Sequence, residues 1–120
     1  MRLLQGLPLL TALLCAAAQQ APKPPDAHDG ERKAYNDIYS SKRDTFNSSP
    51  NAFMVRMISG REPGRALDVA MGQGRNALWL AARGWVVTGF DISPVAIDEA
   101  RKEATKQHLR IDAIVAPSEV

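Results

Sequence analysis

Apolar residues fall into two regimes along the chain, separated by a polar stretch rich in proline. Residues 3–14 are apolar apart from Gln5, Gly6, Pro8 and Thr11. From Gln19 to Gly30 the run QQAPKPPDAHDG holds three prolines and no large apolar residue, the composition of a solvated tether. Beyond it the pattern turns periodic. Ala34, Tyr35, Ile38 and Tyr39 stand at helical spacing within Glu31–Ser41 and predict a short amphipathic helix. A second helix is predicted from Pro50 to Ser59, with Ser49 as N-cap, Pro50 at the first helical position and Gly60 closing it. Phe53, Met54, Met57 and Ile58 form its apolar face.

The remainder alternates strand and helix. Arg65–Ala70 reads as a buried strand through Ala66, Leu67, Val69 and Ala70. A glycine turn leads into a helix over Arg75–Arg83, stopped by Gly84. Trp85–Phe90 is the second strand. Ser93 then caps a helix that begins with Pro94 and runs to Gln107, burying Ile97, Ala100 and Ala104 and placing Asp98 and Lys102 at the favourable i,i+4 spacing. Ile111–Ala116 is the third strand. Such alternation predicts an α/β fold, a parallel sheet with flanking helices and right-handed crossovers.

Composition narrows the class further. The chain has 120 residues, 45% apolar and 23% charged, which is average for a globular protein and excludes collagen, coiled coil and general disorder. The apolar start after Met1-Arg2, followed by Ala16-Ala17-Ala18, reads as a signal peptide of residues 1–18 cleaved after Ala18. As a membrane anchor it is short, since sixteen helical residues reach about 24 Å against a core of about 30 Å. The expected organisation is therefore signal peptide 1–18, linker 19–30 and folded part 31–120. The product is exported, with a cytoplasmic location as the alternative, and without a stable membrane span after cleavage.

Fifteen Lys and Arg face thirteen Asp and Glu, and Arg2 lies in the leader, so the remainder is nearly neutral and offers no basic surface for nucleic acid. The single cysteine, Cys15, lies in the leader and the histidines, His28 and His108, are far apart. Neither a disulfide framework nor a Cys/His metal site is expected.

Three stretches would reach the carboxyl edge of the sheet, where parallel sheets bind ligands. They are Asp68–Asn76 after the first strand, Asp91-Ile92-Ser93 after the second and Pro117-Ser118-Glu119 after the third. Gly72 and Gly74 allow a tight turn and close approach to a ligand. Asp91 lies nineteen residues past Gly72, the spacing at which an acid can take hydrogen bonds from ribose hydroxyls. Gly72-Gln73-Gly74-Arg75-Asn76-Ala77 also fits the Gly-x-Gly-x-x-Ala form used for NAD or NADP. That form brings a doubly charged pyrophosphate to the turn, where the carboxylate of Asp68 would oppose it. A ligand carrying an ammonium and a sulfonium would be favoured there instead.

The stretch ALDVAMGQGRNALWLAARGWVVTGFDISPVAIDEAR resembles the class I S-adenosylmethionine-dependent methyltransferases, closest to the tellurite-resistance and thiopurine methyltransferase-like branch. The resemblance covers roughly residues 35–120 and is specific within 66–101. It implies a Rossmann-like fold, truncated after the third of seven strands, and S-adenosyl-L-methionine as cofactor. It also implies a small-molecule methyl acceptor, whose half of the site is missing from the chain. Asp68, Gly72 and Gly74 would border the methionine part, Asp91 would hold the ribose, Ile92 would lie against the adenine, and Ala70 and Asn76 complete the implied contact set.

Two positions depart from the family pattern. Ala70 replaces the first glycine of the turn, which is tolerable if its φ is negative. Pro117 stands where many members place an acid near the adenine amino group, leaving Ser118 or Glu119 to substitute. No catalytic base is nominated; the resemblance places Tyr35, Tyr39 and Phe46 where relatives use a cover over the cofactor, with ordinary packing the reading preferred for them. A non-catalytic nucleotide-binding remnant and an NAD(P)-dependent oxidoreductase remain the alternative functions.

Overall fold

A computed structural model of the chain describes residues 26–41 and 47–118. The expected leader, most of the linker, Phe46 and Glu119 lie outside the described residues. The element order is α1 (Asp29–Ser40), α2 (Ala52–Ile58), β1 (Arg65–Val69), α3 (Arg75–Ala81), β2 (Val86–Asp91), α4 (Pro94–Lys106) and β3 (Asp112–Val115).

Both early helices start away from their predicted positions, for local reasons. In α1 the Arg32 guanidinium reaches Asp29 at 2.6 Å and Asp26 at 2.9 Å, and this network draws Asp29 and Gly30 into the helix. Asp29 and Glu31 in its first turn also complement the helix dipole. In α2 the N-cap is Asn51, not Ser49, because the Asn51 side-chain oxygen accepts from the N–H groups of Phe53 at 2.9 Å and Met54 at 3.2 Å. Ser49 is occupied one turn earlier, its N–H donating to Asn47 Oδ1 at 2.8 Å. Only half of the predicted apolar face of α2 is used, since Met54 and Ile58 pack against the core while Phe53 and Met57 are exposed.

The strands form one parallel sheet in the order β1-β2-β3, with Ala66 opposite Val87 and Gly89 opposite Ala113. Period-2 alternation then sorts the strand residues into two faces. Ala66, Asp68, Val87, Gly89, Asp91 and Ala113 share the face covered by α3 and α4, whose Ala77, Leu80, Ile97 and Ala100 complete the core with Met71. Gly89 is required there, because a Cβ would sit 2.5 Å from Met71 Sδ.

The opposite face corrects the sequence reading of a buried first strand. Leu67 is 64% and Val69 53% exposed, and Val86 and Ile114 lie exposed on the same side. The apolar run is therefore two-sided in sequence but one-sided in packing, with no described helix covering the second face. Helix α4 agrees with expectation: Ala96, Ile97, Ala100 and Ala104 are buried, and the Ser93 hydroxyl accepts from Ala96 N at 3.2 Å. Its surface pairing differs. Asp98 meets Arg101 at 3.7 Å instead of Lys102, and Arg101 also donates to the Ala113 carbonyl of β3 at 2.6 Å.

Candidate cofactor site

The chain leaves β1 through a turn that only certain backbones can make. Met71 N donates to the Phe90 carbonyl at 2.9 Å and Gly74 N to the Met71 carbonyl at 2.9 Å, which folds residues 70–74 tightly over the end of β2. Gly72 and Gly74 both have positive φ, at 54° and 85°. Ala70 does too, at 53°. The condition of a negative φ at Ala70 is thus not met; the chain is left-handed there just before Met71 bonds back to β2. An L-residue there carries strain of about 1–2 kcal/mol.

Asp68, the last covered-face residue of β1, points at the start of α3. Its Oδ2 accepts from Ala77 N at 3.1 Å. Burial pushes the carboxyl above the usual carboxylate range, opposed by the bonds from Ala77 N–H and the Asn76 side chain. The helix start where a pyrophosphate would lie in a dinucleotide site therefore already has a carboxylate on it.

Asp91 ends β2 and is 6% exposed. Its Oδ2 accepts from Gly72 N at 2.9 Å and its Oδ1 from Ser93 N at 2.9 Å, so one side chain clamps the glycine turn to the loop after β2. Each oxygen retains a second lone pair. Beside it opens a cavity of about 260 Å³ lined by Tyr35, Tyr39, Ala70, Asp91, Ile92, Pro117 and Ser118. A larger cavity of about 990 Å³ lies across the turn, lined among others by Gly72, Gln73, Trp79, Glu99 and Lys102. Gln73 bonds to Glu99 on its wall.

Tyr39 and Ala70 line both cavities. The Tyr39 hydroxyl lies so near Gly72 that a Cβ there would be 2.7 Å from it, a second reason for glycine. Burial, helped by the negative charge of Asp91, pushes the phenol up to about 12, so Tyr39 stays neutral around pH 7 and is no base. Helix α1 is held in place by a 2.6 Å bond from the Ser93 hydroxyl to Asn36 Oδ1. Tyr39 had a cover over the cofactor as its alternative to packing, whereas Asn36 carried no signal, because nothing near it in sequence marks a partner 57 residues away.

Of the residues expected at the site, the structure brings Asp68, Ala70, Gly72, Asp91 and Ile92 to the carboxyl ends of β1 and β2. Gly74 is buried beneath the turn, its Cβ position 3.2 Å from Ala100 Cβ, and lines neither cavity. Asn76 lines neither as well. Ser118, a proposed substitute for the missing acid, does line the smaller one. The described strands run in simple sequential order, so the site lies at their carboxyl ends without a reversal of strand order beside it.

This turn, carboxylate and strand arrangement coincides with residues 66–119, which match the family model of the methyltransferase domain. Over these residues the chain is similar to the class I S-adenosylmethionine-dependent methyltransferases, TehB-like members among them. A structure solved in work on the conversion of a disulfide bond into a thioacetal group during echinomycin biosynthesis superposes with a TM-score of 0.62 at 29% identity, over 72% of this chain and 40% of that one. TehB from Haemophilus influenzae superposes with a TM-score of 0.56 at 28% identity, over 69% of this chain and 28% of that one. The ribosomal RNA small subunit methyltransferase C of Alcanivorax borkumensis is 28% identical over 85 residues. The chain thus spans a quarter of that curated relative's length and 40% or less of the two solved structures.

The cofactor of the family is S-adenosylmethionine. The residues present fit it: a buried carboxylate with spare lone pairs faces the smaller cavity, and a second carboxylate stands beside the turn where a positively charged group would be favoured. Among the described residues no group of three or more His, Cys, Asp or Glu is placed to hold a metal ion, and no helix is long and apolar enough to cross a membrane.

Proposed function

We propose that this chain binds S-adenosylmethionine through Asp91, Ile92, Asp68, Ala70 and Gly72 and serves methyl transfer to a small-molecule acceptor. The observation that carries the reading is a pair of carboxylates at the ends of adjacent parallel strands, Asp91 bonded to the glycine turn and Asp68 to the start of the helix that follows it. That pair of negative charges favours a nucleoside bearing an ammonium and a sulfonium over a dinucleotide. When bound, the cofactor supplies an activated methyl group, and transfer needs alignment more than a catalytic side chain. The chain's contribution is that alignment. Asp91 accepts from ribose hydroxyls, Ile92 and Pro117 flank the base, and Asp68, which lines neither cavity, sets a negative charge behind the turn on the side of the cationic end. The near-neutral charge outside the leader supports a small acceptor over RNA.

Calorimetric titration with S-adenosylhomocysteine and NADH in parallel tests the reading. Binding of S-adenosylhomocysteine alone is expected, and preferential binding of NADH overturns it. Radiolabelled methyl transfer to RNA, and not to thiol or metalloid acceptors, would overturn the small-molecule part. We further propose export through residues 1–18; Gln19 as the N-terminus of the protein recovered outside the cytoplasm is the expected result.

A further inference from the structure

Asn76 lines neither cavity, yet both ends of its side-chain amide are engaged. Its Oδ1 accepts from Asn51 N at 2.9 Å, and its amide group donates to Asp68. The neighbouring Arg75 donates to the Ser49 carbonyl at 3.3 Å. Asn51 is itself the N-cap of α2, holding Phe53 N and Met54 N. One side chain therefore joins the acid at the end of β1 to the start of a helix 25 residues earlier. The segment it grips is not incidental, since Asn47, Ser48 and Pro50 form a wall of the larger cavity.

We infer that Asn76 is a positioning residue rather than a cofactor ligand: it orients the Asp68 carboxylate and latches residues 47–51 beside the glycine turn, coupling that cavity wall to the acid. The inference rests on the proposed cofactor reading for its effect on binding, and on geometry alone for the latch. The physical basis is the bifunctional amide. An oxygen that accepts and a nitrogen that donates sit on one rigid plane, so the two partners are fixed relative to each other. The charged groups facing Asp68 are Arg75 from α3, which favours its ionised form, and Asp91 from β2, which opposes it.

The full chain tests this with three variants and two readouts, amide hydrogen exchange at residues 51–54 and calorimetric titration with S-adenosylhomocysteine. Asn76→Ala breaks both bonds; exchange at 51–54 should accelerate about tenfold, and affinity should fall about three- to tenfold. Asn76→Asp keeps the oxygen for Asn51 N but sets a second carboxylate against Asp68. Exchange should stay near wild type, while affinity should fall and become pH-dependent between about pH 5 and 8, because paired carboxylates raise one pKa. Arg75→Ala, at an exposed position, loses the Ser49 contact and the cation that favours ionised Asp68, and should accelerate exchange a few-fold, less than Asn76→Ala, because the bond from Asn51 N to Asn76 remains. Lost affinity in Asn76→Ala with unchanged exchange would make Asn76 a direct ligand and overturn the inference, as would pH-independent affinity in a folded Asn76→Asp protein. If the wild-type chain does not bind S-adenosylhomocysteine, the functional reading falls, and the exchange contrast between Asn76→Ala and Asn76→Asp still decides the latch.

Discussion

The ends of β1 and β2 carry the same chemical group in different structural employment. Asp68 holds one backbone N–H, that of Ala77 nine residues on, and so serves the helix that follows its own strand. Asp91 holds two, Gly72 N from the loop of the other strand and Ser93 N from its own. Asp68 is half-buried and lines neither cavity, whereas Asp91 is 6% exposed and lines the smaller one. Two acids that read alike in sequence therefore divide the labour: one caps, and the other clamps two loops together while facing ligand space.

The strongest attempt to break this distinction is Asp91→Ala. It leaves the Gly72 and Ser93 N–H groups buried without an acceptor, at about 1–3 kcal/mol each. Loss of the ribose bonds adds about 1.5–3 kcal/mol to the cost of binding, or a 10-fold to 150-fold weaker affinity for S-adenosylhomocysteine. Both melting temperature and affinity should drop, and Asp91→Asn, which retains one accepting oxygen, should lose less of each. A folded Asp91→Ala protein with wild-type affinity would remove the clamp's ligand role.

Asp68→Ala should be milder. It orphans one helix N–H, a loss comparable to an N-cap deletion of about 1 kcal/mol, and chemical denaturation should show a smaller shift than for Asp91→Ala. Equal shifts would erase the contrast between cap and clamp.

The pH dependence of stability sharpens it. Because burial raises the folded-state pKa of Asp68 above 3.8, the folded chain binds more protons than the unfolded one just above that pH. The contribution of Asp68 to stability therefore falls as pH rises from its unfolded value through its folded one. Urea midpoints measured from about pH 3.5 to 6 should decline in wild type relative to Asp68→Asn. The reverse trend would mean that Asp68 is paired to a cation strongly enough to offset its burial.

The smallest effect is expected at Ala70, which lies between the two ends and lines both cavities. Ala70→Gly relieves a left-handed strain of about 1–2 kcal/mol but frees the unfolded chain by about 0.4–1 kcal/mol. A net gain of about 0–1.6 kcal/mol should raise the melting temperature slightly. A lowered one would show that the strain at a φ of 53° is smaller than the entropy the unfolded chain gains.

The sequence by itself determined the order of the elements, the parallel alternation, the Ser93 cap, the buried row Ile97, Ala100 and Ala104, and the nineteen-residue step from Gly72 to Asp91. Those features follow from side-chain direction and backbone donors within a turn or two of the chain, so they are written locally. Boundaries were less legible: Pro50 matched a helix start, but Asn51 had the better acceptor for the free N–H groups. The tertiary structure alone decided which face of β1 is covered, that Ala70 takes positive φ, that Tyr39 lies against Gly72, and that Asn76 reaches Asn51. Each of these depends on residues brought together from 20 to 60 positions apart by helix packing and strand pairing. Periodicity cannot name such partners, because it records only which side of an element is apolar and not what comes to rest against it.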